Sequence, residues 1–204
     1  MRRSVLFAAL ALSACATTPP SNPQDAFWTN LRAHCGKAYS GKLTSEEAVD
    51  ADFKGRLMLM HVRSCTDNEI RIPFHIGPKD GDSKWDRSRT WVITRTASGL
   101  RLKHDHRHED GSEDLLTQYG GDTATPGSAT AQSFPVDAES IALFRREGRG
   151  VSVTNVWEVE ISDKRAASPR FAYILHRTGE NARLFRVEFD LGRAVTPPPP
   201  PWGF

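Results

Sequence analysis

The 204 residues carry 27 lysines and arginines against 25 aspartates and glutamates, with 38% hydrophobic residues. That near-balance exerts no general electrostatic pull on phosphate backbones, so nucleic acid is not expected as a partner. The length fits one main domain, and the sequence shows no internal repeat.

The chain opens with Arg2 and Arg3, followed by eight consecutive apolar residues from Val5 to Leu12. Eight residues cannot cross a bilayer core as a helix, which takes ~20, but they suit the apolar region of an export signal. Leu12-Ser13-Ala14-Cys15 closes the stretch. These four residues resemble the lipobox of bacterial lipoproteins. The resemblance implies a signal peptide over residues 1–14, cleavage before Cys15, a thioether from Cys15 to diacylglycerol, and further acylation of the new N-terminus. Several acyl chains hold a protein on a membrane far more firmly than one. Ala16 stands where inner-membrane lipoproteins of some bacteria carry Asp, so the resemblance implies a periplasm-facing seat on the outer membrane. Removing Arg2 and Arg3 with the signal leaves 25 basic and 25 acidic residues.

With Cys15 given to lipid, Cys35 and Cys65 remain as an even pair 30 residues apart. In an oxidising compartment such a pair is expected as a disulfide. Residues 16–24 (ATTPPSNPQ) have the small, polar, proline-rich composition of a solvated tether, giving a lipid-anchored linker over 15–24. Pro197–Pro201 is an unbroken proline run before Trp202-Gly203-Phe204, so 193–204 reads as a proline-rich, disordered tail. The globular domain is expected over 25–192.

That domain begins with one helix. Asp25 can cap a segment in which Phe27 or Trp28, Leu31 and Cys35 recur at helical spacing, and Gly36 suits a left-handed helix end. Alternation follows. Leu57–Cys65, Ile70–Ile76, Arg89–Thr96, Leu100–His108, Ser140–Arg145, Val151–Ile161, Arg170–His176 and Phe185–Leu191 all read as strands, with Met58 and Met60 in the core. Tyr119-Gly120-Gly121-Asp122 and Thr123–Ala131 read as mobile loop. About eight to ten antiparallel strands with one buried face must close into a barrel or split into a sandwich. The strand count and the single N-terminal helix resemble a lipocalin-type barrel in architecture, although no glycine–tryptophan pair marks the first strand.

One segment can carry chemistry. On a strand, Leu100, Leu102, His104, His106 and His108 share a face, while Arg101, Lys103, Asp105, Arg107 and Glu109 form a charged face toward water. A two-residue turn at Ser98-Gly99 sets Ile93 opposite His104, Trp91 opposite His106 and Arg89 opposite His108. Alternate histidines stand ~6.5–7 Å apart. His104, His106 and His108 are therefore candidate ligands for zinc or iron, with a further ligand from His61 or His176; His75, opposite the isoleucines, fits less well. The same face, through Arg89, Trp91, His104 and His106, is equally a candidate for contacting a small organic ligand. A third reading is a surface charge network at a strand end. No nucleophile elbow, HExxH, P-loop or dinucleotide glycine pattern occurs, and Asp110–Asp114 lacks calcium-loop spacing.

Two functions follow as expectations: an envelope lipoprotein that binds a small or apolar ligand or a neighbouring envelope component, and a metal-dependent hydrolytic enzyme built on the histidines. The first predicts an interior cavity of a few hundred Å³ lined by Trp91, Ile93 and Leu102.

Overall fold

The computed structural model describes residues 22–79, 83–163 and 165–204. The signal segment 1–14, Cys15 and the tether as far as residue 21 lie outside the described residues.

Helix α1 (Pro23–Arg32) starts before Asp25. The Asn22 side chain accepts from the Gln24 N–H at 3.0 Å, and Pro23 occupies the first helical position, where its missing N–H leaves nothing unpaired. The folded part thus begins inside the stretch read as linker. Gly36 turns the chain at φ +80°, as its position suggested.

Eleven strands follow: β1 (Ala38–Leu43), β2 (Met58–His61), β3 (Ser64–Cys65), β4 (Glu69–Ile76), β5 (Asp86–Thr96), β6 (Gly99–His106), β7 (Tyr119–Asp122), β8 (Ala131–Pro135), β9 (Val156–Ile161), β10 (Arg170–Arg177) and β11 (Arg183–Val195). Helix α2 (Ala138–Arg146) stands between β8 and β9. The strands pair antiparallel in the order β7-β6-β5-β4-β2-β1-β11-β10-β9-β8, with β3 beside β4. The result is a nearly closed ten-strand antiparallel barrel.

The seam is built on two glycines. Gly121 bridges to Val136, and the Asp137 N–H donates to the Gly120 carbonyl at 3.0 Å. A Cβ on Gly120 would stand 1.8 Å from the Leu102 carbonyl oxygen, and one on Gly121 1.8 Å from that of Pro135. The 119–122 segment read as a loop is therefore the closing strand, and its glycines serve close approach rather than mobility.

Two other readings change. Residues 140–145 are helical because Asp137 accepts from the Ser140 N–H at 2.8 Å, capping a turn that buries Ser140 and Phe144 four residues apart. Gly150–Thr154 forms a 3-10 turn, so β9 starts only at Val156.

The β5–β6 hairpin turns through Ala97 and Ser98, pairing Thr96 with Gly99. Its register differs from the expected one by two residues: Trp91 lies opposite His104 and Arg89 opposite His106. A slip of two preserves the face on which every side chain lies, whereas a slip of one would reverse it.

One end of the barrel is filled. Phe27 and Leu31 of α1 are fully buried, as are Ile70, Ile93 and Leu102. At this end Cys35, just past α1, is bonded to Cys65 of β3, with Cα atoms 6.2 Å apart. Trp91 anchors the other half of the interior, stacked between Phe74 at 4.8 Å and Tyr173 at 4.4 Å.

The C-terminal segment is ordered against the outside of the barrel, contrary to its composition. β11 runs to Val195, Pro201 is buried, the Trp202 N–H donates to the Arg87 carbonyl at 3.1 Å, and Arg87 donates to the Pro200 carbonyl at 2.7 Å. The Phe204 ring lies 5.4 Å from the Arg71 guanidinium. The outward face of β6 accordingly is not wholly in water. Asp105 is 2% exposed and accepts from Arg107 at 2.8 Å and Arg71 at 3.4 Å.

Candidate functional site

The end of the barrel away from α1 holds an interior cavity of about 240 Å³. Its floor is Trp91 of β5 and His104 of β6, each 2% exposed. Tyr119 of β7, the cross-strand partner of His104, and Tyr173 of β10, across the barrel, wall it, together with Phe53 and Phe185. At the mouth stand His106 and the guanidinium groups of Arg89 and Arg183, whose side chains are 29% and 23% exposed.

His104 is held at both ring nitrogens. Nδ1 lies 3.0 Å from the Tyr119 carbonyl, and Nε2 lies 2.7 Å from the Tyr173 hydroxyl. A carbonyl only accepts, so Nδ1 carries the proton, and the neutral ring takes the Tyr173 O–H at Nε2. Burial, reinforced by His106 nearby, lowers the His104 pKa to about 3. Burial and then Arg89 lower that of His106 to about 4. Burial pushes the Tyr119 phenol up to about 12 and raises Tyr173 well above its ordinary value. The polar floor is thus uncharged at neutral pH.

Each guanidinium at the mouth has its own carboxylate. Arg89 pairs with Asp86 and also donates to Ser88 at 3.1 Å. Arg183 pairs with the fully buried Asp50, contributed by the 3-10 turn Ala48–Phe53. Desolvation raises the Asp50 pKa despite Arg183, and its Oδ2 has no partner.

Of the expected ligand-contacting residues, Arg89, Trp91, His104 and His106 all line this one cavity. Ile93 and Leu102 do not; they belong to the filled half. His108 lies past the end of β6, 57% exposed and 3.9 Å from the Asp114 carboxylate, because the hairpin register ends the strand two residues earlier than expected. His61 and His176 face away from the cavity. Met58 and Met60 occupy the inward positions of β2, and Tyr173 and Leu175 those of β10, so their neighbours in sequence point outward. With both nitrogens of His104 already engaged, the three histidines do not converge. Among the described residues no group of three His, Cys, Asp or Glu side chains is placed to hold a metal ion.

No family model, curated protein or solved structure matches this chain.

Sequence reasoning missed Tyr119, Tyr173, Arg183 and Asp50. Tyr173 was accessible to it, since Phe171, Tyr173 and Leu175 share the inward parity of β10. Arg183 shares parity with Phe185 and Val187, but a charged residue at a strand entrance does not announce an inward position. Asp50, in a polar stretch without periodicity, gave no signal.

Proposed function

We propose that this chain is an exported lipoprotein, moored through acyl groups on Cys15, whose barrel binds a small planar molecule with one acceptor or carboxylate group. The supporting observation is the asymmetry of the interior: one end is filled, and the other holds a ring-lined cavity with two guanidinium groups at its mouth. Aromatic walls favour a flat apolar body, with each stacked pair adding ~0.5–1.5 kcal/mol beyond area burial. Each guanidinium has five N–H donors, more than its Asp86 or Asp50 pair takes up, and the Arg183 Nε–H is buried without a partner; such edges favour a planar acceptor such as a carboxylate. The volume, below the usual ~300–1,000 Å³ of ligand pockets, suits one or two rings rather than a long acyl chain. The engaged state of both His104 nitrogens favours this reading over a metal-dependent hydrolase.

Titration of the processed protein with benzoate and phenylacetate, followed by thermal shift and isothermal calorimetry, tests the binding reading. Saturable binding is expected, weakened at least tenfold in Arg89→Gln with Arg183→Gln. Binding of neither acid, or equal binding by the double variant, overturns it. Metabolic labelling with a clickable fatty acid tests the anchor: label is expected in the native chain and absent in Cys15→Ala.

A further inference from the structure

A second cavity, of about 390 Å³, lies outside the barrel wall between the C-terminal segment and the outward faces of β2, β4 and β5. Leu59 and His75 form its floor, Trp85 stands at one side, and Pro198, Pro199 and Trp202 form its roof. Lys84 and Glu109, paired with each other, stand among its lining residues.

His75 is the unusual member. It is 1% exposed, yet neither Nδ1 nor Nε2 has a hydrogen-bond partner. The indole Nε1–H of Trp202, in the roof, is also buried and unpartnered. A buried donor or acceptor left unpaired loses its water partners for nothing, so three such atoms around one cavity are a large cost for a fold to carry without return. Burial, then Arg87, lowers the His75 pKa to about 4. The neutral ring presents one donor and one acceptor. The outer position of His75 also explains why it cannot serve the barrel interior: Phe74 takes that face.

We propose that this cavity is a second ligand site, taking an uncharged aromatic alcohol or amide that hydrogen-bonds to His75 and Trp202 beneath a roof formed by Pro198–Trp202. A hydroxyl or primary amide gives and accepts at one end, as the imidazole requires. The indole donor calls for an acceptor. Among the described lining residues Lys84 and Glu109 pair together, and the cation left without a carboxylate, Arg87, gives a guanidinium N–H to the Pro200 carbonyl of the roof. Trp85, Trp202 and the prolines give flat apolar walls suited to a ring. The inference is independent of the barrel-interior reading.

The test uses p-cresol and benzamide, with benzoate as the charged comparison, titrated into ¹⁵N-labelled processed protein. Tryptophan indole N–H signals are assigned through Trp202→Phe, Trp85→Phe and Trp91→Phe. At low millimolar concentration, the range set by so few ligand atoms, p-cresol or benzamide is expected to shift Trp202 and Trp85 while benzoate leaves them in place. His75→Leu is expected to weaken that response at least tenfold, and truncation after Thr196 to abolish it. The truncated chain serves if His75→Leu fails to fold. No movement of Trp202 at saturating probe overturns the proposal, as does an undiminished Trp85 response in the chain lacking the roof. Interior binding reports on Trp91 and survives both changes, so the two sites fail separately.

Discussion

The Tyr173 hydroxyl and Nε2 of His104 lie 2.7 Å apart across the barrel, joining β10 to β6, two strands that are not neighbours in the sheet. With Nδ1 held by the Tyr119 carbonyl, this bond fixes one tautomer and one orientation of a fully desolvated imidazole. Tyr173→Phe keeps the ring stacked on Trp91 but strands Nε2 without a donor. A stability loss of ~1–3 kcal/mol is expected from the orphaned buried acceptor. Urea unfolding at pH 7.5 measures it. His104→Phe with Tyr173→Phe is expected to cost less than the two single changes summed, because neither member is then left unpaired. Strict additivity would show the contact to be energetically idle.

Acid sensitivity follows from histidines kept neutral. The pKa values of His104 and His75, about 3 and about 4, lie below the ordinary value of 6.5, so between those limits the unfolded chain binds protons that the native one refuses. Stability is therefore complete above pH ~6.5 and falls as pH drops toward the folded values, by at most about 1.4 kcal/mol per pH unit for each buried histidine. Urea midpoints between pH 7.5 and 4.5 are expected to be flat at first and then to decline steeply. His104→Gln should reduce that acid slope. An unchanged slope in this variant would show that His104 takes up its proton equally in the folded and the unfolded chain.

Much of this architecture was legible because the strands that matter alternate cleanly. Ile70, Ile72, Phe74 and Ile76 fixed the inward face of β4, and the parity of Leu102, His104 and His106 survived a one-residue error in turn position, which shifts the register by two. What escaped were elements whose pattern is not apolar periodicity. Two of the four residues of β7 are glycines, β1 and β8 are short and polar, and α2 is set by a cap rather than by its apolar spacing. The tail misled for a related reason. A proline run favours an extended rod whether or not it has a surface to lie on, and the surface here is assembled from β2, β4 and β5 only after folding. The same holds for the interior site: Arg183 meets Asp50 across 133 positions of sequence, a distance no local pattern spans.

Closure of the barrel depends on the missing side chain at Gly121. In Gly121→Ala the new Cβ meets a backbone oxygen, which cannot swing aside as a flexible side chain would. A loss of ~3 kcal/mol or more is expected, among the larger single-residue effects. Hydrogen exchange locates the damage: the Asp137 amide, which donates to Gly120 across the seam, should lose protection before amides in β4 and β5. Wild-type stability in this variant would mean the seam is not closed in solution.

The bond between Cys35 and Cys65 sits at the filled end, tying the exit of α1 to β3, while both the interior cavity and its guanidinium mouth lie at the other. A crosslink spanning 30 residues restricts the unfolded chain by ~3–4 kcal/mol on the loop-entropy estimate. Cys35→Ser with Cys65→Ser should lower stability by about that amount and leave benzoate affinity within about twofold, since neither cysteine lines the interior cavity. The fall in thermal midpoint should match that of the native chain under dithiothreitol, because reduction and substitution remove the same constraint. A parallel loss of ligand affinity would instead show that packing transmits strain along the barrel from one end to the other. The filled end would then be part of the binding apparatus rather than its support.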